Sequence, residues 1–245
     1  MSFEFLEPDR GAPELGFEPV PASALLPQAR EAGANVDVRQ GWQVATDYGS
    51  LERELQACRA TAGFGDSSWL GKIELQGPAD SLTAVAAAAG GEGIVLGRAT
   101  HAADAWWCPY SDRRVIVVCE PERTPALRES LESAAADKPV SVTDLTCALA
   151  AVTLVGPLAT EVLARQTAID LRPTTTPECS FRPGSVARIP ASVIRERGDR
   201  YVLMFGSAYA QYMWAQLTDA AEPLGAYMVG SDALARVREE VATGA

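Results

Sequence analysis

A chain of 245 residues, 47% apolar and 22% charged, has the balance of a globular protein and the length for one large domain or two small ones. Folding at this size buries roughly 70–75% of the unfolded surface, which excludes disorder of the chain as a whole. The net charge of −11, with only Lys72 and Lys138 as lysines, excludes bulk binding of nucleic acid, which needs a basic face to displace counterions from phosphates.

In chain order, residues 1–28 hold Pro8, Pro13, Pro19, Pro21 and Pro27 and are expected to form an extended arm, with one domain over 29–245. The start carries acids and prolines in place of a basic region and an apolar run, so no secretory leader is expected. No stretch of roughly 20 apolar residues suggests a membrane span, and a cytoplasmic location follows. Ser50 is a candidate N-cap for a short amphipathic helix with Leu51, Leu55 and Cys58 on one face. Lys72–Gln76 alternates as a half-buried strand and ends at Gly77-Pro78, and the alanine-rich run Leu82–Ala89 suits a helix packed closely on a sheet.

The same grammar returns. Ala151–Val155 reads as a strand, Gly156-Pro157 as a turn and Ala159–Arg165 as a helix; Asp66-Ser67-Ser68 precedes the first unit and Asp144-Leu145-Thr146 the second. Two copies of Asp-x-Ser/Thr, strand, Gly-Pro and helix point to an internal duplication. Proline at the first helical position accounts for each Gly-Pro junction, because no amide donor is needed there. Each copy closes with a further strand and helix: Arg114–Cys119 then Thr124-Pro125 opening a helix to about Leu131, and Tyr201–Phe205 then Ser207 capping a helix to about Ala221, with Tyr209, Tyr212, Met213 and Leu217 near one face. The expected fold is α+β, with duplicated βαβ-type, ferredoxin-like halves built on antiparallel sheet. No G-x-G-x-x-G turn follows a strand, which argues against a doubly wound nucleotide fold.

Cys58, Cys108, Cys119, Cys147 and Cys179 include no C-x-x-C pair and are expected as reduced, mostly buried thiols. His101 is the only histidine, so a zinc site or a Ser-His-Asp triad would depend on one imidazole.

Arg59 and the stretch Gly63–Ala79, with Asp66, Ser68, Gly71 and Gly77-Pro78, resemble the early pattern of the folate-binding aminomethyltransferase (glycine cleavage T-protein) superfamily. Gly156-Pro157-Leu158-Ala159 resembles the family's second turn, and Val229-Gly230 with Asp232-Ala233-Leu234 and Val237–Glu240 its closing element. The long C-terminal barrel domain of complete T-proteins is not expected within this chain. Val142–Thr146, Ile169-Asp170-Leu171 and Phe205–Trp214 are most similar to the gamma subunit of heterotetrameric sarcosine oxidase; the K-G-C-Y-x-G-Q signature of the iron–sulfur-repair branch is missing.

The resemblance implies tetrahydrofolate, or a methyl or methylene derivative, as cofactor. It also implies a role in one-carbon transfer to or from an amine or small metabolite. The other reading is a non-catalytic gamma-type subunit of a flavoprotein complex; a flavoprotein subunit or a second copy of the chain is then the protein partner. A third keeps the pocket for another flat ligand. One-carbon transfer asks for a carboxylate that orients the reacting amine, and the resemblance points to Asp104, set against the plainer reading of a loop carboxylate in water. Trp106, Trp107 and Tyr110 are candidates to stack on a pterin or aminobenzoyl ring, or else to pack in the core. Arg195 fits the arginine of the family's R-x-G-Y-x-G-E clamp, whose glutamate has no counterpart; Glu196 or Asp199 could replace it, and a turn on Gly198-Asp199 is the simpler account. Arg238 and Glu240 match the closing L-R-x-E, as ligand groups for an acidic tail or as a pair locking the last helix.

Overall fold

The computed structural model describes residues 20–243. A short helix α1 (Leu26–Glu31) and a two-stranded ribbon, β1 (Asn35–Arg39) and β2 (Trp42–Asp47), lead into α2 (Leu51–Ala60). The first half then runs β3 (Gly63–Asp66), β4 (Gly71–Gln76), α3 (Ala79–Ala88), β5 (Thr100–Ala102), β6 (Ala105–Ser111), β7 (Arg114–Cys119) and α4 (Thr124–Ala135). The second runs β8 (Ser141–Asp144), β9 (Leu149–Val155), α5 (Ala159–Ala164), β10 (Ser180–Val186), β11 (Ile189–Arg195), β12 (Arg200–Gly206) and α6 (Ala210–Ala221), and the chain closes with β13 (Tyr227–Met228) and α7 (Ser231–Thr243).

The duplication is real at the level of topology. One sheet has the order β5-β6-β7-β4-β8; the other has β10-β11-β12-β9-β3, followed by β13. Position by position these are the same sheet, with the first strand of each half exchanged into the sheet of the other. Pairing is antiparallel except for the short β3–β13 contact. The two Asp-x-Ser/Thr segments are the crossovers. Asp66 accepts the Ser68 amide and Asp144 the Thr146 amide, each at 2.9 Å, so the same turn chemistry redirects the chain twice. Lys72, fully buried between them, donates from Nζ to the carbonyls of Ser68 (2.8 Å) and Leu70 (2.7 Å). Burial pushes its ammonium down to about 8, against the attraction of Asp66 and Asp144.

The sheets face each other and carry helices on their outer faces. Strand alternation sorts the side chains: on β7, Val115, Val117 and Cys119 pack with α3 and α4, and Ile116 and Val118 meet the other sheet. On β12, Tyr201, Leu203 and Phe205 pack under α5 and α6, and Val202 and Met204 turn inward. Strands buried on both faces read as unbroken apolar runs, which is why Arg114–Cys119 and Tyr201–Phe205 stand out in the sequence.

Four local expectations change. Within residues 1–28, the arm is not extended throughout: Leu26 opens α1, and Leu25 and Leu26 are buried; residues 1–19 lie outside the described residues. Pro78 caps α3 and Pro157 precedes the cap of α5, so neither sits at the first helical position. On α2 it is Glu54, not Leu51, that turns inward. Its carboxylate accepts the amides of Tyr48 (2.6 Å) and Gly230 (2.8 Å), which satisfies a group that burial would otherwise penalise. Near α6, Met213 and Leu217 are core residues, whereas Tyr209 and Tyr212 are exposed and Tyr212 donates to the Ala187 carbonyl. Cys58, Cys108 and Cys119 are buried free thiols; Cys147 is exposed. Among the described residues no helix is long and apolar enough to cross a membrane.

Candidate functional site

A cleft of about 200 Å³ opens where the ends of the two inner sheet faces meet α7 and the β1–β2 ribbon. Its walls combine the tryptophans Trp69 and Trp106, the acids Asp104, Glu120 and Glu196, and the guanidiniums of Arg39, Arg200 and Arg238.

Each element presents these groups for a local reason. Asp104 lies in the two-residue turn between β5 and β6, closed by the Ala102–Ala105 pair. Ala103 (φ 50°) and Asp104 (φ 56°) both occupy the left-handed region that such a turn requires and that a β-carbon disfavours. Aspartate tolerates it; alanine does so at a cost of about 1 kcal/mol. Ala103→Gly is therefore expected to raise stability by about 1 kcal/mol in urea unfolding, and an unchanged or lower midpoint would contradict the geometry. Trp106 turns toward the opposite sheet, and its ring meets that of its cross-strand neighbour His101 on β5 edge-on at 4.8 Å. Its buried indole N–H has no hydrogen-bond partner among the described residues. A buried donor left unpaired costs about 1–3 kcal/mol, so the cleft at Trp106 favours an occupant that brings an acceptor.

Glu196 follows β11 and is 8% exposed; its carboxylate accepts from Arg200 Nε at 2.7 Å. Arg200 also reaches the Leu234 carbonyl at 3.3 Å, tying the pair to α7. Helical spacing puts Ser231, Leu234, Ala235 and Arg238 of α7 on the cleft. Arg238 is ion-paired with Glu120 and Arg39 with Asp232.

The structure brings three of the sequence candidates, Asp104, Trp106 and Arg238, to one cleft and places the other four elsewhere. Trp107 is 2% exposed on the opposite face of β6, in the core under α3 and α4, with its N–H donated to the Ala102 carbonyl at 3.1 Å. Tyr110 lies between the sheets, edge-on to Phe181 at 5.0 Å and hydrogen-bonded to Ser192 at 3.1 Å. Arg195 donates to the Thr176 carbonyl at 2.7 Å and covers the Tyr201 ring; strand alternation gives the cleft Ile194 and Glu196 instead. Glu240 pairs with Arg59 of α2, and Arg238 pairs with Glu120. Arg39, Gln40, Trp69 and Glu120 were not candidates in the sequence. The Gln40-Gly41 turn between two alternating runs is the signal that could have placed the first two at a hairpin tip. Among the described residues no group of three or more His, Cys, Asp or Glu is arranged to hold a metal ion.

Matched half-domains, exchanged strands and a mixed aromatic and charged cleft between their sheets define a duplicated α+β domain. Comparison with known proteins gives it a family: the GCVT N-terminal domain model matches residues 25–244, and the chain belongs to that family. Curated aminomethyltransferases of Streptomyces avermitilis and Streptomyces coelicolor are 27% and 28% identical over 217 residues, 83% of this chain. The chain spans 58% of the length of each. Among solved structures, the glycine cleavage system aminomethyltransferase T of Bartonella henselae superposes with a TM-score of 0.72 at 18% identity, over 88% of this chain and 61% of that one. A chain of the heterotetrameric sarcosine oxidase of Corynebacterium sp. U-96 gives 0.60 at 20% identity, over 71% of this chain and 91% of that one. Both likenesses are of fold.

Proposed function

We propose that the cleft binds tetrahydrofolate or its methyl or methylene derivative and that the domain takes part in one-carbon transfer to or from an amine or small metabolite. The observation that carries this reading is the convergence, in a family fold, of an indole N–H with no partner among the described residues, a nearly buried carboxylate and flanking guanidiniums in one cleft. The residues suit a folate. Trp106 and Trp69 offer flat faces to its rings, and Trp106 offers a donor to a ring carbonyl. Glu196 offers the two oxygens that match the paired N–H donors of an amino-pyrimidine edge, the role that its place beside the family's clamp motif implies. Arg238 and Arg39 offer charge to an acidic tail. A bound folate supplies the one-carbon unit. The chain's own part is to orient: Asp104, at its turn, holds the reacting amine and accepts its developing positive charge.

Calorimetric titration with tetrahydrofolate and its 5-methyl and methylene forms tests the reading. Saturable binding by the wild type is expected, weakened at least about tenfold by Glu196→Gln, a loss of about 1.4 kcal/mol. No binding of any folate at millimolar ligand would end it.

A subunit role in a flavoprotein complex is the second reading. It is favoured by the exposed side chains of Tyr209 and Tyr212, both within the stretch Phe205–Trp214 that carries the gamma-subunit resemblance. Tight co-purification of a flavoprotein, lost on replacing both tyrosines by serine, is its expected mark.

A further inference from the structure

The cleft's wall at the β1–β2 ribbon is unlike its other walls. The ribbon is a sheet of its own, joined to neither large sheet. Its base is fixed: Val44, Ala45 and Thr46 are buried, and the Gln43 amide donates to the Pro21 carbonyl at 2.9 Å. Its tip is not. β1 is exposed along nearly all its length, Val38 is 54% exposed, and the turn residues Gln40 (φ 53°) and Gly41 (φ 78°) are exposed. Two side chains at this tip, Arg39 and Gln40, line the cleft.

Both are held by polar contacts to acidic side chains at the cleft mouth. Arg39 pairs with Asp232 at the start of α7, and the Gln40 amide donates to Glu122, just beyond β7. The ion pair is bidentate but partly solvent-exposed, with Arg39 43% and Asp232 32% accessible, and exposed pairs typically contribute little. The volume enclosed with both contacts made, about 200 Å³, is below the roughly 300–1,000 Å³ of sites that bury a drug-sized ligand. A ligand larger than this volume gains room from the wall that yields at least cost. The two sheets and α7 are tied by buried packing; among the described residues, the side chains of Arg39 and Gln40 are tied by polar contacts at the surface.

We propose that the hairpin tip, residues 39–41, is the moving, size-selecting wall of the cleft, latched shut by Arg39–Asp232 and Gln40–Glu122 and opened to admit a ligand longer than one ring system. Opening frees the Arg39 guanidinium from Asp232 and the Gln40 amide from Glu122, so both become available to polar groups of the incoming molecule. Movement of the tip stands on the ligand-free geometry; the ligand arm of the test below rests on the folate reading.

The experiment is amide hydrogen exchange on the full chain, wild type against the double variant Glu122→Gln/Asp232→Asn, with the association rate of tetrahydrofolate followed by stopped-flow tryptophan fluorescence. Without ligand, exchange over residues 37–42 is expected to rise at least about tenfold in the double variant, with residues 44–46 and the body of α7 beyond its first turn unchanged. The association rate is expected to rise at least fivefold, on the order of the relief from a latched state. The single variant Glu122→Gln leaves α7 untouched and is expected to give a smaller rise over the same residues. Unchanged exchange at the tip in both variants, a rise spread evenly over the chain, or a faster tip with an unaltered association rate would each overturn the proposal. Failure of the wild type to bind any folate would instead remove the ligand reading, and the exchange of the free protein would still decide whether the tip is latched.

Discussion

Gly156→Ala is expected to destabilise the protein by about 3 kcal/mol or more, enough to unfold it near its working temperature. Gly156 sits at φ 118°, where an L side chain is strained, and a β-carbon built there meets the Cys58 carbonyl oxygen and the Thr61 carbonyl oxygen, the latter at 2.8 Å. Both obstacles are backbone at the end of α2, and Thr61 also accepts the Leu158 amide, so relief means moving a helix end and a strand together. The first Gly-Pro junction is also closed to a β-carbon: at Gly77 it would stand 2.5 Å from the Pro139 carbonyl oxygen. Gly33→Ala is the control. Its φ of 89° is as unfavourable, but nothing lies within 4 Å, and a cost of only about 1 kcal/mol is expected. Urea unfolding of the two variants separates them; equal losses would show that the close approach at Gly156 contributes nothing.

Glu54→Gln is expected to cost about 2 kcal/mol, with a definite pH dependence. Both carboxylate oxygens accept buried amides, from Tyr48 and Gly230, and through Gly230 the residue fixes the start of α7, the helix that brings Arg238 to the cleft. Glutamine can accept only one of the two and turns an NH₂ toward the other donor. Burial raises the Glu54 carboxyl above its ordinary value of 4.5, outweighing the two amides that lower it. The native state then keeps a proton that the unfolded chain has lost. The stability this contributes is complete below pH 4.5 and declines as the pH rises through the raised value. Glutamine lacks that titration. The wild-type advantage over Glu54→Gln is thus largest in mild acid and shrinks toward neutrality, while the lost acceptor keeps it positive. Urea midpoints across pH 4.5–7.5 measure it, and a gap that is absent or widens with pH would contradict the account.

The halves were legible because their signals are local and repeated: an Asp-x-Ser/Thr turn, an apolar strand, a Gly-Pro junction and a helix, twice. The exchange of β3 and β8 between sheets was not, because partner choice is set by packing far along the chain. The reason for the junctions was misplaced for the same cause: the prolines fall at or before the caps, and the glycines are required by carbonyls contributed from elsewhere in the chain. Among the site candidates, strand alternation decided the outcome. Trp106 and Trp107 are adjacent in sequence and on opposite faces of β6, as are Arg195 and Glu196 at the end of β11, and no composition or motif tells which of each pair faces inward. Glu54 was hidden by its charge, since a glutamate inside an amphipathic helix reads as solvent-facing until its amide partners are seen.

A crystal structure with 5-methyl-tetrahydrofolate at saturating concentration tests the central claim most directly. The pterin is expected in the cleft, its ring against Trp106 and its amino-pyrimidine edge on Glu196, with the hairpin tip moved from Glu122. A folate bound at any other surface, or an empty cleft at saturation, would contradict it.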